Sequence, residues 1–133
     1  MSAAPAMPAT TVGGTPENPA ASRQTIERYS AAGFRVSGVV FAGPVLVFPH
    51  LTIAWEAAAA TLEALAPVIE HGGIELVLLG LGRRGRPVAL PLRAALKARG
   101  IGIEAMDTGA ACRTYNVLLA EDRLVAAALL PPI

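Results

Sequence analysis

Two segments hold most of the residues whose types and spacing could do chemistry. The first, Gly80-Leu81-Gly82-Arg83-Arg84-Gly85-Arg86, matches the Gly-x-Gly-x-x-Gly pattern of phosphate-binding turns. Pro87 and Pro91 follow closely, and none of the next 18 residues is an acid that could hold a ribose, which favours a glycine-rich surface turn. Three guanidinium groups on one loop still need water or negative charge around them, which indicates an anionic ligand, an acidic partner or a lipid surface. The candidate binding residues here are Gly80, Gly82, Arg83, Arg84 and Arg86.

The second segment runs from Asp107 to Asn116. Asp107 and Thr108 could cap a helix with their side-chain oxygens or contact a ligand, and the sequence leaves both alternatives open. Thr114 and Asn116 lie inside the predicted helix, where neither is a favoured helix former, so Asn116 is expected to hydrogen-bond to a neighbouring loop. The candidate binding residues in this segment are Asp107, Thr108, Arg113, Thr114 and Asn116.

The reactive side chains do not assemble into a reaction centre. Cys112 lies in the first turn of the predicted helix, where the helix dipole could lower a thiol pKa, but a cysteine nucleophile also needs a base. The two histidines, His50 and His71, lie in neither segment, so Cys112 is predicted to be a small buried thiol. The spacing offers no carboxylate pair, Ser-His-Asp set or metal-ligand cluster. The sequence therefore predicts no catalytic residue, metal site or cofactor.

The bulk composition indicates one domain of balanced charge. The chain has 133 residues, of which 53% are hydrophobic, 11 are basic and 10 are acidic, so its net charge is +1. This balance argues against a nucleic-acid binder, and the apolar runs are shorter than the roughly 20 residues of a membrane span. Residues 1–24 are rich in Ala, Pro and Thr, which predicts a disordered tail before a single domain at 25–133. A lone cysteine, and no Lys or Arg in residues 1–22, favour a cytoplasmic protein.

The apolar patterns predict an α/β domain that would bring the two segments together. They predict a hairpin or small meander over 33–49, a short strand at 51–55, a helix over 56–71 kinked or split at Pro67, a strand at 74–79, a helix over 91–99, a strand at 101–106, a helix over 110–119 and a strand at 124–130. This alternation indicates parallel strands with right-handed crossovers and helices on both sides of the sheet. Both segments would follow strands that end at one edge of the sheet, where such folds bind ligands.

The second segment is also the most specific part of a family resemblance. The residues that carry it are the run 106–119, which contains Asp107-Thr108 and Thr114-Tyr115-Asn116, then Glu121-Asp122-Arg123 and the run 126–132, with Gly33-Phe34, the run 43–49 and Leu79-Gly80-Leu81-Gly82 in agreement. Over residues 28–132 the chain resembles a widespread bacterial and archaeal family of unknown function. The mitochondrial member of that family is assembly factor three of respiratory complex I (NADH dehydrogenase).

The resemblance implies a three-layer α/β/α fold with a mixed, partly parallel sheet and an added β-hairpin. It also implies a non-catalytic interaction or assembly factor for complex I or another inner-membrane complex, with a protein partner. Such a protein would be cytoplasmic or peripheral to the inner membrane, without a membrane span. The family brings no agreed catalytic residues. The residues leave one alternative open, a small-molecule or anion-binding protein or an enzyme of unknown reaction that uses the loops at 80–86 and 107–116.

Overall fold

A computed structural model describes residues 23–132, which form two sheets and three helices. The elements are β1 (Ile26–Ser30), β2 (Gly33–Val36), β3 (Val39–Ala42), β4 (Val45–Phe48), β5 (Leu51–Ala54), α1 (Ala66–His71), β6 (Leu76–Leu81), α2 (Leu90–Lys97), β7 (Gly102–Met106), α3 (Thr108–Ala120) and β8 (Val125–Leu130). The predicted tail lies outside the described residues as far as residue 22. Gln24, at its end, donates its backbone N–H to the carbonyl of Pro49 (2.9 Å). None of the helices in the described part is long and apolar enough to cross a membrane.

The main sheet has five strands in the order β5-β4-β8-β6-β7. β6 pairs in parallel with both β7 and β8, and β4 pairs antiparallel with β5 and β8. The sheet is therefore mixed and partly parallel, as predicted. β8 occupies its centre, and its first five residues are all buried because both faces of the strand are covered.

Helices cover both faces of this sheet, so the three-layer prediction is confirmed. Val68 of α1 and Leu96 of α2 pack into the core on one face, and Tyr115 and Leu119 of α3 pack into the core on the other. The side chain of Tyr115 is fully buried and donates its hydroxyl to the carbonyl of Phe48 (3.1 Å). That bond satisfies a polar group which would otherwise be costly to bury.

The added β-hairpin is part of a three-stranded antiparallel meander, β1-β2-β3. Phe34 and Val36 face the α3 core and Arg35 points away, the alternation expected of a strand with one solvated face. The predicted stretch 33–49 divides after Gly43, whose positive φ (84°) suits glycine. Beyond that turn all four residues of β4 are buried, because β4 belongs to the main sheet.

The predicted helix over 56–71 is wrong for residues 56–65. The α-helix begins at Ala66, and Pro67 lies in its first turn, where a missing amide costs little. Before it, Ala58 adopts a positive φ (44°), which a regular helix does not allow. The Trp55 indole donates to the carbonyl of Ala64 (2.9 Å), so the segment folds back on the buried tryptophan. Tertiary contacts therefore override the alanine-rich helix propensity. The boundaries of the other predicted elements after residue 50 differ by one or two residues.

Candidate functional site

The ends of three parallel strands bring the two candidate segments to one edge of the main sheet. Gly80 of β6 lies opposite Met106 of β7 and Leu129 of β8 in the strand registers. The loop after β6 and the start of α3 therefore leave the sheet side by side. The structure places seven of the ten candidate residues there, namely Gly80, Gly82, Arg83, Arg84, Arg86, Asp107 and Thr108.

The two glycines in this group are required by the packing and the conformation of the backbone. A Cβ atom on Gly80 would lie 2.8 Å from Leu129 Cδ2 and 3.1 Å from Thr108 Cα, so glycine allows α3 to approach β6 closely. Gly82 has a φ of 86°, in the left-handed region that favours glycine. Its N–H donates to the Thr108 hydroxyl (2.9 Å). The glycines therefore shape the edge through packing and turn geometry.

Thr108 joins three elements through one buried hydroxyl. Its side chain is completely buried, accepts from Gly82 N–H and donates to the carbonyl of Leu130 (2.6 Å). The Thr108 backbone N–H in turn donates to the carbonyl of Gly82 (2.8 Å). The start of α3, the loop after β6 and the end of β8 are thus fastened together.

Asp107 caps α3, which is one of the two alternatives that the sequence leaves open. Its Oδ1 accepts the N–H of Ala110 (2.9 Å), and its carbonyl accepts the N–H of Ala111 (3.0 Å). With Thr108 N–H bound to Gly82, most of the amides at this helix start have internal partners. An anion approaching the helix would also meet the Asp107 carboxylate.

Arg83, Arg84 and Arg86 form the outer part of the edge. All three are exposed, and none makes an ion pair with any residue between 23 and 132. They line one side of an open groove of about 750 Å³, here called the arginine groove. Its other lining residues are Ala31, Gly43, Pro44, Leu81, Gly82, Leu130 and Pro131.

The remaining three candidates lie further along α3, away from the arginine groove. Asn116 accepts from Ile26 N–H (2.9 Å) through Oδ1 and donates to the Ile26 carbonyl (2.8 Å) through Nδ2. It therefore holds β1 against α3, so its partner is a strand instead of the expected loop. Arg113 is exposed and Thr114 is half-buried. A Cβ atom added to Gly109 would lie 3.3 Å from Arg113 Nη1 and 2.8 Å from the Tyr29 hydroxyl.

Cys112 is the small buried thiol that the sequence predicts. Burial raises the pKa of its thiol to about 12, an effect that Arg113 opposes and Asp107 reinforces. The thiol is therefore protonated at physiological pH and is a poor nucleophile. His71 is exposed and stacks on Phe48 with ring centroids 4.3 Å apart, far along the chain from Cys112. Residues 23–132 contain no group of three or more His, Cys, Asp or Glu placed to hold a metal ion.

Sequence reasoning missed the side of the arginine groove that comes from other strands. Gly43-Pro44 precedes β4, and Leu130-Pro131 ends β8. Both dipeptides are far from Arg83 in sequence, so no local pattern could show that they lie beside it.

Known proteins of similar sequence and structure identify the family. The family described as "Protein of unknown function (DUF498/DUF598)" matches residues 26–130. The chain belongs to this family. The match includes both candidate segments and every lining residue of the arginine groove except Pro131, and the resemblance stated from the sequence is confirmed.

Relatives of this DUF498/DUF598 chain carry different names. A zebrafish (Danio rerio) protein named NADH dehydrogenase (ubiquinone) 1 alpha subcomplex assembly factor 3 is 36% identical over 117 residues, which are 85% of this chain and 67% of that protein. An uncharacterized protein of Rhodobacter capsulatus is 38% identical over 108 residues, which are 80% of this chain and 83% of that protein. The chain spans between 57% and 67% of the length of these relatives named as assembly factors.

A solved structure shares the fold of this DUF498/DUF598 chain. It is described as an outer membrane protein from Bartonella henselae and matches with a TM-score of 0.75 at 36% identity. The match covers 84% of this chain and 98% of the Bartonella chain. The α/β architecture is therefore shared with a bacterial protein whose description differs from that of the assembly factors.

Proposed function

We propose that this protein is a non-catalytic interaction factor that assists the assembly of respiratory complex I or of another inner-membrane complex. The observation that carries the proposal is the 36% identity, over 85% of the chain, to a protein named as a complex I assembly factor. The family model also matches residues 26–130, which is nearly all of the described chain. The proposed place of action is the cytoplasmic side of the inner membrane, with peripheral association.

The geometry of the candidate site supports binding more than chemistry. The polar groups at the centre of the edge, those of Thr108, Asp107 and Gly82, already bond to one another or to nearby backbone. The thiol of Cys112 is buried and protonated. The polar groups that face outward are guanidiniums, which suit recognition of a partner surface.

The proposal is tested in the native host by deleting the gene and resolving membrane complexes on native gels. We expect less fully assembled complex I and an accumulation of partial assemblies, with ATP synthase unchanged as the internal control. Crosslinking of the tagged full chain in cells should recover subunits of the affected complex. Normal levels of every inner-membrane complex, together with no crosslinked subunit of any of them, would refute the proposal.

The arginine groove also supports a second candidate, a protein that binds a small anionic molecule. A volume of about 750 Å³ is large enough for a nucleotide-sized ligand. A thermal-shift screen of phosphates, nucleotides and carboxylates distinguishes this candidate. A ligand at 100 times its dissociation constant should stabilise the chain by about 2.7 kcal/mol, whereas a flat response across the screen contradicts small-molecule binding.

A further inference from the structure

Resting on the proposed function, we propose that the arginine groove binds an extended acidic segment of the partner protein. The segment places an apolar side chain in the groove and its carboxylates against Arg83, Arg84 and Arg86. This inference assigns the binding surface to the arginine groove and describes the partner segment as acidic.

The first support is a local excess of positive charge. Residues 76–103 contain six Lys or Arg and no acid, and three of the six, Arg83, Arg84 and Arg86, line the arginine groove. Within this stretch Arg93 has partners, since it donates to the carbonyl of Ile103 (2.8 Å) and lies 3.8 Å from a Glu104 carboxylate oxygen. The three loop arginines have no such partner in the described chain, and no acidic residue lines the groove beside them. Carboxylates from another molecule would therefore complete this surface.

The second support is the apolar floor of the groove. Leu81 is 8% exposed and Pro131 is buried, so both present limited apolar surface between more exposed walls. Pro44 and Leu130 are half-buried and add aliphatic surface. An apolar anchor surrounded by charged contacts at the rim is the usual anatomy of a protein interface. The groove thus suits a peptide segment with one apolar side chain between acids.

Two features disfavour a free phosphate or a nucleic acid as the occupant. A phosphate site needs converging backbone amides that are free to donate. Here Gly82 N–H donates to the Thr108 hydroxyl, Thr108 N–H donates to the Gly82 carbonyl, and Asp107 caps the helix start. Single-stranded nucleic acid would need aromatic side chains for base stacking, and the lining residues include none. An acidic peptide needs neither feature.

The test selects peptides from a random display library on the purified full chain. We expect selected peptides to be enriched in Asp and Glu around one apolar residue. The variant R83Q/R84Q/R86Q should bind a selected peptide about tenfold more weakly, because three exposed ion pairs are lost. The matched control K97Q/R99Q/R123Q removes three exposed charges near the amino ends of the parallel strands, at the opposite edge, and should retain the affinity. Added salt should weaken binding of the wild type.

Two further measurements keep the proposal falsifiable if a variant folds poorly. Amide chemical shifts of the unsubstituted chain should change on peptide addition at Gly82, Gly43 and Leu130 and not at the opposite edge. Anionic vesicles and a short oligonucleotide serve as competitors. Selected peptides without an acidic excess, equal binding by the two triple variants, or shifts confined to another surface would each overturn the proposal. So would stronger binding to the vesicles or the oligonucleotide than to every selected peptide.

The failure of this proposal is distinguishable from failure of the proposed function. Peptide selection uses the purified chain and needs no respiratory complex. If deletion impairs complex I but R83Q/R84Q/R86Q restores it fully, the function stands and the assigned surface is wrong. If acidic peptides bind in the groove but no inner-membrane complex depends on the protein, the surface stands and the assigned complex is wrong.

Discussion

Replacing Thr108 with valine should destabilise the protein by about 2–3 kcal/mol, because the buried hydroxyl bonds to two elements at once. Valine keeps the shape and the β-branch, so the change removes the acceptor for Gly82 N–H and the donor to the Leu130 carbonyl. Each lost hydrogen bond costs about 0.5–1.5 kcal/mol, and a buried group left without a partner costs about 1–3 kcal/mol. The Gly82 N–H and the Leu130 carbonyl belong to half-buried residues, so water can replace part of each lost hydrogen bond. The expected total is therefore about 2–3 kcal/mol, well below the sum of the upper limits.

Urea unfolding followed by circular dichroism measures this effect, with Thr114→Val as the matched control. Thr114 lies in the same helix, is half-buried and makes no side-chain hydrogen bond within residues 23–132, so its replacement should change stability by less than about 0.5 kcal/mol. For a domain of this size, the Thr108→Val melting temperature should fall by roughly 10 °C. Equal stabilities of the two variants would show that the Thr108 hydroxyl does not fasten the edge.

Three other predictions concern residues on or beside α3. Asn116→Ala should cost about 1–3 kcal/mol and speed amide exchange at Ile26, because both side-chain bonds to β1 are lost; unchanged protection at Ile26 would contradict this. Gly80→Ala should destabilise by about 1–3 kcal/mol through the 2.8 Å approach to Leu129, whereas Gly102→Ala, with no neighbour nearer than 3.4 Å, should be close to neutral in calorimetry. The Cys112 thiol has an ordinary pKa of 9.0 and a folded pKa of about 12, so its contribution to stability is present below pH 9 and is lost as the pH rises through 12. Between pH 8 and 10 the wild type should therefore lose about 1.4 kcal/mol more than Cys112→Ala, and parallel pH curves would refute the shift.

Local patterns predicted most of the main sheet because its strands are continuous apolar runs between clear breaks. Leu76–Leu81 and Val125–Leu130 are buried on both faces, and the helical patterns between them require parallel pairing. The error at 56–65 has a different origin. Its alanines favour a helix locally, but the segment folds back so that the Trp55 indole donates to the carbonyl of Ala64, a contact that no periodicity reveals.

The candidate site was predicted in its location more than in its roles. Gly82 and Asp107 were placed at the edge because turn glycines and helix caps follow strands in a recognisable way, whereas Gly80 lies within β6 itself. Thr108 was expected to be a cap or a ligand contact. Its hydroxyl instead bonds to Gly82, which is 26 positions earlier, and to Leu130, which is 22 positions later. Pro44 and Pro131 could not be assigned to the arginine groove, because their neighbourhood exists only after β4 and β8 have paired.

The central position of β8 has a consequence for how the chain is made. β4-β5 and β6-β7 can each pair as they leave the ribosome, but only β8, which follows all four of these strands along the chain, joins these halves. Until then the apolar edges of β4 and β6 remain open and could pair with another nascent chain. The nascent chain should therefore depend most on chaperones before residue 130 has left the ribosome. Chains that a premature stop codon ends before β8 should keep both edges open.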